Sequence, residues 1–420
     1  MKFKALLIKT VCGALAVSWL ASCVSMGKTE ESATVRPDTG KPVKTLPKKK
    51  MEKKPKKPPA KEEEKQAGKP EERAPFRYPS AGEGRAMVAR LLPSYVKDRD
   101  GWATDIFTAF SALSVAPTDR NFCGVVAIIE QESSFEADPA VPGLSTIAWK
   151  EIEERRARHG IPQSMIDIVL DSTSPDKRTY RQRIDSSRTE NDLSKVFEDL
   201  PGGKGILAGF NPVRTAGAMQ VNVEYAERHA KLKPYPYAIK GSMRRELFTR
   251  RGGVYFGVAH LLDYLAPYNE MRYRFADFNA GHYSSRNAAF QAVVSMLSGV
   301  PVALDGDLMS RNPETGETFR ALMSISGRLG LTRPEILRDL KMEKSAGFAA
   351  TGLYTRVYAL ADPIATGRRA IRATIPQIKL QTSKSKRNLT TEWFVERVNR
   401  RFVSCIARSG PSGQEDDGGM

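Results

Sequence analysis

The chain has 420 residues, 40% of them hydrophobic and 27% charged, and a formal net charge of +18. This length and apolar content exclude a wholly disordered chain, and four cysteines in 420 residues exclude a disulfide-dense mini-scaffold. The basic balance favours anionic partners such as nucleic acid, acidic phospholipid or acidic envelope polymers, and compartment decides among them.

Lys2, Lys4 and Lys9 precede an apolar run from Val11 to Leu20, which has the length of a signal-peptide core and is short for a membrane span. The run ends in Leu20-Ala21-Ser22-Cys23, which resembles the lipobox of bacterial lipoproteins. The resemblance implies removal of residues 1–22, lipid attachment at Cys23 and anchoring by acyl chains. Val24 in place of Asp implies, by the sorting rule of enteric bacteria, the outer membrane, with the rest of the chain facing the periplasm. Residues 23–75 then read as a tether. Pro47-Lys48-Lys49-Lys50 and Lys53 to Pro59 offer nothing to bury, so the segment is expected to be disordered, with a reach on the order of 150 Å if extended. Behind a lipobox, these lysines are not read as a nucleic-acid site.

The folded part is expected from about Tyr78 to about Arg408, with 409–420 a polar tail. Trp102, Ile106, Phe107, Phe110 and Leu113 mark one buried helical face. Thr118 or Asp119 caps the next helix, which carries Phe122, Val125, Val126, Ile128 and Ile129. Its periodicity stops at Glu132-Ser133-Ser134-Phe135. A helix C-terminus and apolar neighbours both disfavour a carboxylate, so a Glu at this place can hold its proton toward neutral pH. Trp149, Ile152 and the charged run Glu151 to Arg158 predict an amphipathic helix closed by His159-Gly160, and Ser164 to Leu170 another. Further helices are predicted over about Gly253 to Tyr264 and Ser284 to Leu297, with starts at Thr332 and Thr391 and an extended stretch around Ala373 to Leu380. The class is mainly α. Cys123 and Cys405 either form a disulfide or stay as two buried thiols.

Four short motifs occur in an order used by one enzyme family. Glu132-Ser133-Ser134-Phe135 resembles the Glu-Ser-x-Phe motif of the lytic transglycosylases within the lysozyme-like superfamily. Gly217-Ala218-Met219-Gln220-Val221 resembles their Gly-Leu-Met-Gln turn, Gly257 to Leu265 their Gly-x-x-Tyr-Leu helix, and Phe278-Asn279-Ala280-Gly281 their Tyr-Asn-Ala-Gly motif. The chain also resembles an uncharacterised lipoprotein family of proteobacteria. The first resemblance implies a lysozyme-like helical domain over 78–300, with a helical insertion at about 137–216 and a C-terminal helical extension over 301–408. It implies a lyase that cuts peptidoglycan glycan strands without a cofactor. Glu132 is its catalytic acid and then base, Ser133, Gln220 and Asn279 orient acid and sugar, and Met219 packs beneath the sugar.

The chain departs from that pattern in three places. Residues 137–216 stand where a short loop is usual, His260 stands where the third motif has Tyr, and Phe278 removes a tyrosine hydroxyl. Tyr283 or His282 is the expected substitute. A hydrolytic muramidase needs a second carboxylate, for which Glu136, Asp138 and Asp277 are the nearby candidates, and a non-catalytic wall-binding scaffold needs none. His159, His229, His260 and His282 fall in no ligand spacing, so no metal is expected. His260 with Asp263 reads as a structural i, i+3 hydrogen bond, Arg244 to Arg251 as solvated helix charges, and Gly202-Gly203-Lys204-Gly205 as a flexible part of the insertion.

Overall fold

The structure, a computed structural model, describes residues 78–200, 211–309, 315–365, 369–380 and 389–410. The leader, Cys23, the tether, the glycine stretch at 202–205 and residues 411–420 lie outside them.

The first helices are α1 (Ala81–Leu91), α2 (Arg99–Leu113) and α3 (Asp119–Glu132). The Ser80 hydroxyl and the Glu83 carboxylate cap α1 reciprocally, and Thr118 accepts the Asn121 N–H at the start of α3. Helix α3 is buried on nearly every side from Phe122 to Ile129, so it is the central helix, packed by α1 and by the helices described below. Residues 137–200 form α4 (Leu144–Arg158), α5 (Gln163–Leu170), α6 (Tyr180–Ser186) and α7 (Glu190–Glu198). His159 and Gly160, the latter at φ +62°, close α4 as the sequence predicts.

Strands β1 (Thr215–Ala216) and β2 (Val221–Asn222) pair antiparallel around the turn at 217–220. They lead into α8 (Val223–Leu232), α9 (Met243–Leu247), α10 (Arg250–Leu262), α11 (Met271–Ala280) and α12 (Ser284–Ser298). Helix α10 stops at Leu262, before Tyr264, because Asp263 leaves helical geometry at ψ 51°. It packs along α2, and Arg250 fixes that pairing with ion pairs to Asp98 and Asp105, each at 2.5 Å.

A second hydrophobic core begins halfway along α12. Phe290, Val293, Val294 and Leu297 pack with α13 (Glu317–Ser324), α14 (Ser326–Leu329), α15 (Arg333–Leu340) and α16 (Gly352–Ala361) around Phe348. Residues 371–378 carry no regular secondary structure, so the expected extended stretch reduces to β3 (Lys379–Leu380), which pairs with β4 (Leu389–Thr390). The last helix, α17 (Thr391–Ile406), returns to the first core, against α3 and α11.

The expected C-terminal extension is therefore not one body. Residues 290–370 make their own core, whereas Phe394, Val395 and Val398 bury one stripe of α17 in the core of α3. Cys405 is bonded to Cys123, with Cα atoms 5.4 Å apart across 282 residues. Two boundaries shift by a residue. Thr390, and not Thr391, caps α17 by accepting the Trp393 N–H, and Ser409 is still buried, its hydroxyl donating to the Ile406 carbonyl.

Candidate active-site cleft

The chain after α3 turns through Ser134 and Phe135, both in the left-handed region at φ 51° and 64°. Such backbone in two successive non-glycine residues persists only when the surroundings hold it. Here Phe135 is buried, edge-on to Trp102 at 5.3 Å between ring centroids. The turn leaves Glu132, the last residue of α3, on the wall of a cleft of about 980 Å³.

The hairpin between β1 and β2 supplies the next wall residue. Gly217 sits at φ +75°, where an added Cβ would lie 2.1 Å from the Leu247 carbonyl oxygen, so only glycine lets the turn dock there. Gln220 closes the turn at φ 50° and lines the cleft with both ends of its amide held. Its Oε1 accepts from the Thr215 hydroxyl at 2.8 Å, and its Nε2 donates to the Glu190 carboxylate at 3.2 Å. Glu190 opens α7. Asp138, just past the Glu132 turn, accepts from the Thr189 hydroxyl and the Asn191 amide, each at 3.0 Å. The segment 137–200 thus links the Glu132 turn to Gln220.

Asn279, near the end of α11, is the third motif residue in the cleft, and its Oδ1 accepts from the buried Thr391 hydroxyl at 3.1 Å. The α11 to α12 turn is organised by Asp277. This fully buried carboxylate accepts the backbone N–H groups of Tyr283 (2.9 Å) and Ser285 (2.7 Å) and the hydroxyls of Tyr264 (2.9 Å) and Tyr268. Those donors favour the charged form, but burial outweighs them and pushes the acid up to about 6.

Beside this turn His282 stacks between Tyr264 and His260, at centroid distances of 4.1 and 4.6 Å. The His282 Nε2 is 2.7 Å from the His260 carbonyl and the His260 Nε2 is 3.3 Å from that of Phe278, so each ring donates from Nε2. Burial holds His260 down to about 3, and it lowers His282 as well. Both rings are neutral donors to backbone.

Glu132, Gln220 and Asn279, drawn from three distant segments, therefore meet in one cleft, with His282 and Phe278 beside them. The other proposed residues do not line it. Ser133 is buried, and its hydroxyl caps α3 by donating to the Ile129 carbonyl at 3.1 Å. Met219 is a core residue: a Cβ at Gly257 would meet its sulfur at 2.1 Å. Tyr283 is buried with the Arg286 guanidinium 4.4 Å above its ring. Among the candidates for a second carboxylate, Asp277 and Asp138 are committed to structural hydrogen bonds, and Glu136 is exposed outside the cleft.

Two further expectations are corrected. Asp263 pairs with His229 at 3.2 Å and with Lys233 at 2.6 Å, not with His260, because the helix has ended at its position and the His260 ring faces Phe278. The arginines from 244 to 251 are not simply solvated. Arg245 pairs with Glu198, Arg250 with Asp98 and Asp105, and Arg251 with Glu246, while Arg244 donates to the Val213 carbonyl at 2.7 Å.

Sequence reading missed Tyr225 and Arg228 of α8, the acids Asp305 and Asp307, and Phe394 of α17, all of which line the cleft. The Tyr225 hydroxyl is pushed well up by burial, and its ring lies 4.5 Å from His260. The cap signal of Asn222, which accepts the Tyr225 N–H at 3.0 Å, was the available clue to α8.

Residues 95–408 match the family model described as Protein of unknown function (DUF1615). The chain belongs to this family. It is 47% identical over 326 residues to the Uncharacterized protein YaiW of Escherichia coli (strain K12), across 76% of this chain and 89% of that protein. No solved structure matches. The DUF1615 match runs from before α2 to the end of α17, so it takes in Glu132, the helices α4 to α7, the second core and both bonded cysteines.

Proposed function

We propose that this DUF1615 protein is a lytic transglycosylase of peptidoglycan with a lysozyme-like fold, held to the outer membrane by lipid on Cys23 and facing the periplasm. The observation that carries the reading is the meeting of Glu132, Gln220 and Asn279 in one cleft. A cleft of about 980 Å³ has the size to take several sugar rings.

In this reading the Glu132 carboxylic acid donates its proton to the glycosidic oxygen between N-acetylmuramic acid and N-acetylglucosamine, and the C1–O bond breaks. The resulting carboxylate then takes the proton of the muramic acid 6-hydroxyl as that oxygen bonds to C1. The product is a 1,6-anhydro ring, no water is consumed, and one carboxyl group serves both steps. Gln220 is the orienting group for the sugar, because both ends of its amide are fixed before substrate arrives.

A peptidoglycan-binding scaffold without catalysis is the second reading. Phe278 lines the cleft without a hydroxyl, and Tyr283 is turned into the core. Digestion of peptidoglycan followed by mass spectrometry separates the possibilities. The transglycosylase releases anhydro-muropeptides, and Glu132→Gln abolishes their release while glycan is still bound. Products heavier by one water identify a hydrolytic muramidase. Binding with no product from either form identifies the scaffold. Cys23→Ser tests the anchor: the variant leaves the membrane fraction if the lipid holds the protein there.

A further inference from the structure

The second core reaches the cleft through a buried polar network. Arg286, Asn287 and Gln291, on the first half of α12, are each no more than 2% exposed. The Gln291 amide donates to Asp305 Oδ1 and accepts the Gly306 N–H, both at 2.8 Å. Asn287 donates to the Gly306 and Glu343 carbonyls, and Arg286 to those of Glu343 and Ser345. Gly306, at φ +77°, is pressed so close to α12 that a Cβ would lie 2.7 Å from the Ser284 carbonyl oxygen. This network fixes Asp305, Asp307 and Lys344 on the cleft wall. Asp305 Oδ1 also accepts the Asp307 N–H at 3.0 Å, which leaves Oδ2 without a hydrogen bond among the described residues.

The cleft's charge runs against that of the chain. On a protein of net +18, its lining holds, besides the Glu132 acid, Glu224, Asp305 and Asp307 against Arg228 and Lys344. A glycan strand whose lactyl groups are amide-linked to peptide has no charge in its backbone. Charged groups buried against it would lose solvation for nothing in return. A carboxylate with one oxygen tethered and the other open suits a primary ammonium.

We propose that the wall centred on Asp305 binds the free primary amine of the peptide stem, so that the protein selects peptide-bearing strands over bare glycan. This rests on the peptidoglycan reading above. The full chain carrying Glu132→Gln is titrated calorimetrically with soluble peptide-bearing glycan fragments, with the same fragments acetylated on the stem amine, and with fragments stripped of peptide. Acetylation is expected to lower affinity about tenfold, Asp305→Asn to do the same for native fragments, and the two together to do no more than either alone. Equal binding of native and acetylated fragments overturns the proposal, as does an Asp305→Asn loss of equal size for both. The acetylation arm needs no Asp305 variant, so it decides even if that variant folds poorly. Failure of every fragment to bind overturns the peptidoglycan reading itself, whereas binding without discrimination overturns only this inference.

Discussion

The Glu190 carboxylate, thirty residues upstream of Gln220, accepts a hydrogen bond from the Gln220 side-chain amide at 3.2 Å. The contact makes α7 part of the cleft's framework. Without it one end of the amide would be loose, because the Thr215 hydroxyl holds only the carbonyl end. On the activity proposed above, Glu190→Ala is expected to lower turnover of peptidoglycan about tenfold, the order set by one hydrogen bond to a charged group. Glu190→Gln keeps an acceptor oxygen and should recover most of the rate. Measuring released muropeptides and the thermal midpoint of both variants checks this: a matched loss of stability and rate in both would make Glu190 a structural residue only.

Asp277 and His260 give stability opposite pH slopes. The folded pKa of Asp277 is raised to about 6 from 3.8, so its contribution is complete below pH 4 and is lost as pH rises through 6. The folded pKa of His260 is depressed to about 3 from 6.5, so its contribution is complete above pH 6.5 and is lost as pH falls toward 3. Between pH 4 and 6 the two partly offset. Asp277→Asn should steepen the acid-side loss, and His260→Phe should leave stability that declines as pH rises across that window. Urea unfolding at stepped pH reads both slopes, and parallel profiles for wild type and variants would refute the assignment.

Arg286 spends its charge on carbonyl oxygens and stacks over Tyr283 and Phe348, at 4.4 and 5.0 Å. Burial lowers its pKa, but an arginine this basic stays charged. Arg286→Met should cost about 3 kcal/mol, because the Ser345 carbonyl and the Asn287 amide oxygen lose their Arg286 donors and the Glu343 carbonyl keeps only the one from Asn287. Arg286→Lys should recover little, since a point charge cannot reproduce the planar fork or the stacking. Thermal unfolding of the two variants provides the comparison; a lysine variant as stable as wild type would contradict the geometric account.

The Cys123–Cys405 bond closes a span of 282 residues. Replacing both cysteines with serine is expected to cost about 3 to 5 kcal/mol by freeing the unfolded chain. Calorimetry of the variant and of reduced wild type should show matching falls in midpoint, and unchanged midpoints would mean that packing of α17 alone holds the helix.

The elements legible in the sequence were those whose apolar spacing coincided with an end signal. Helix α3 joins an all-round apolar run to the Thr118 cap, and α15 has Thr332 and Glu335 in a capping box. Gln220 and Asn279 were legible through the motif resemblance alone, since their own residue types signal little more than turns. The rest depended on tertiary partners. Ser284-Ser285-Arg286-Asn287 reads as a solvated helix start, yet it is buried because hydrogen bonds to distant carbonyls and to Asp277 satisfy it. Tyr283 looked like a cleft residue from its position after Gly281, but its left-handed backbone at φ 68° turns it inward. Asp305 has no local signal at all, because what places it is Gln291, fourteen residues earlier.

Helix α17 contributes Thr391 to Asn279, Phe394 to the cleft wall and Cys405 to the helix that ends in Glu132. A chain still emerging from the ribosome has every motif residue in place long before it has this helix. The order of synthesis therefore separates possession of the cleft's polar groups from their assembly. The Cys123–Cys405 bond then ties this late helix covalently to the one that bears Glu132.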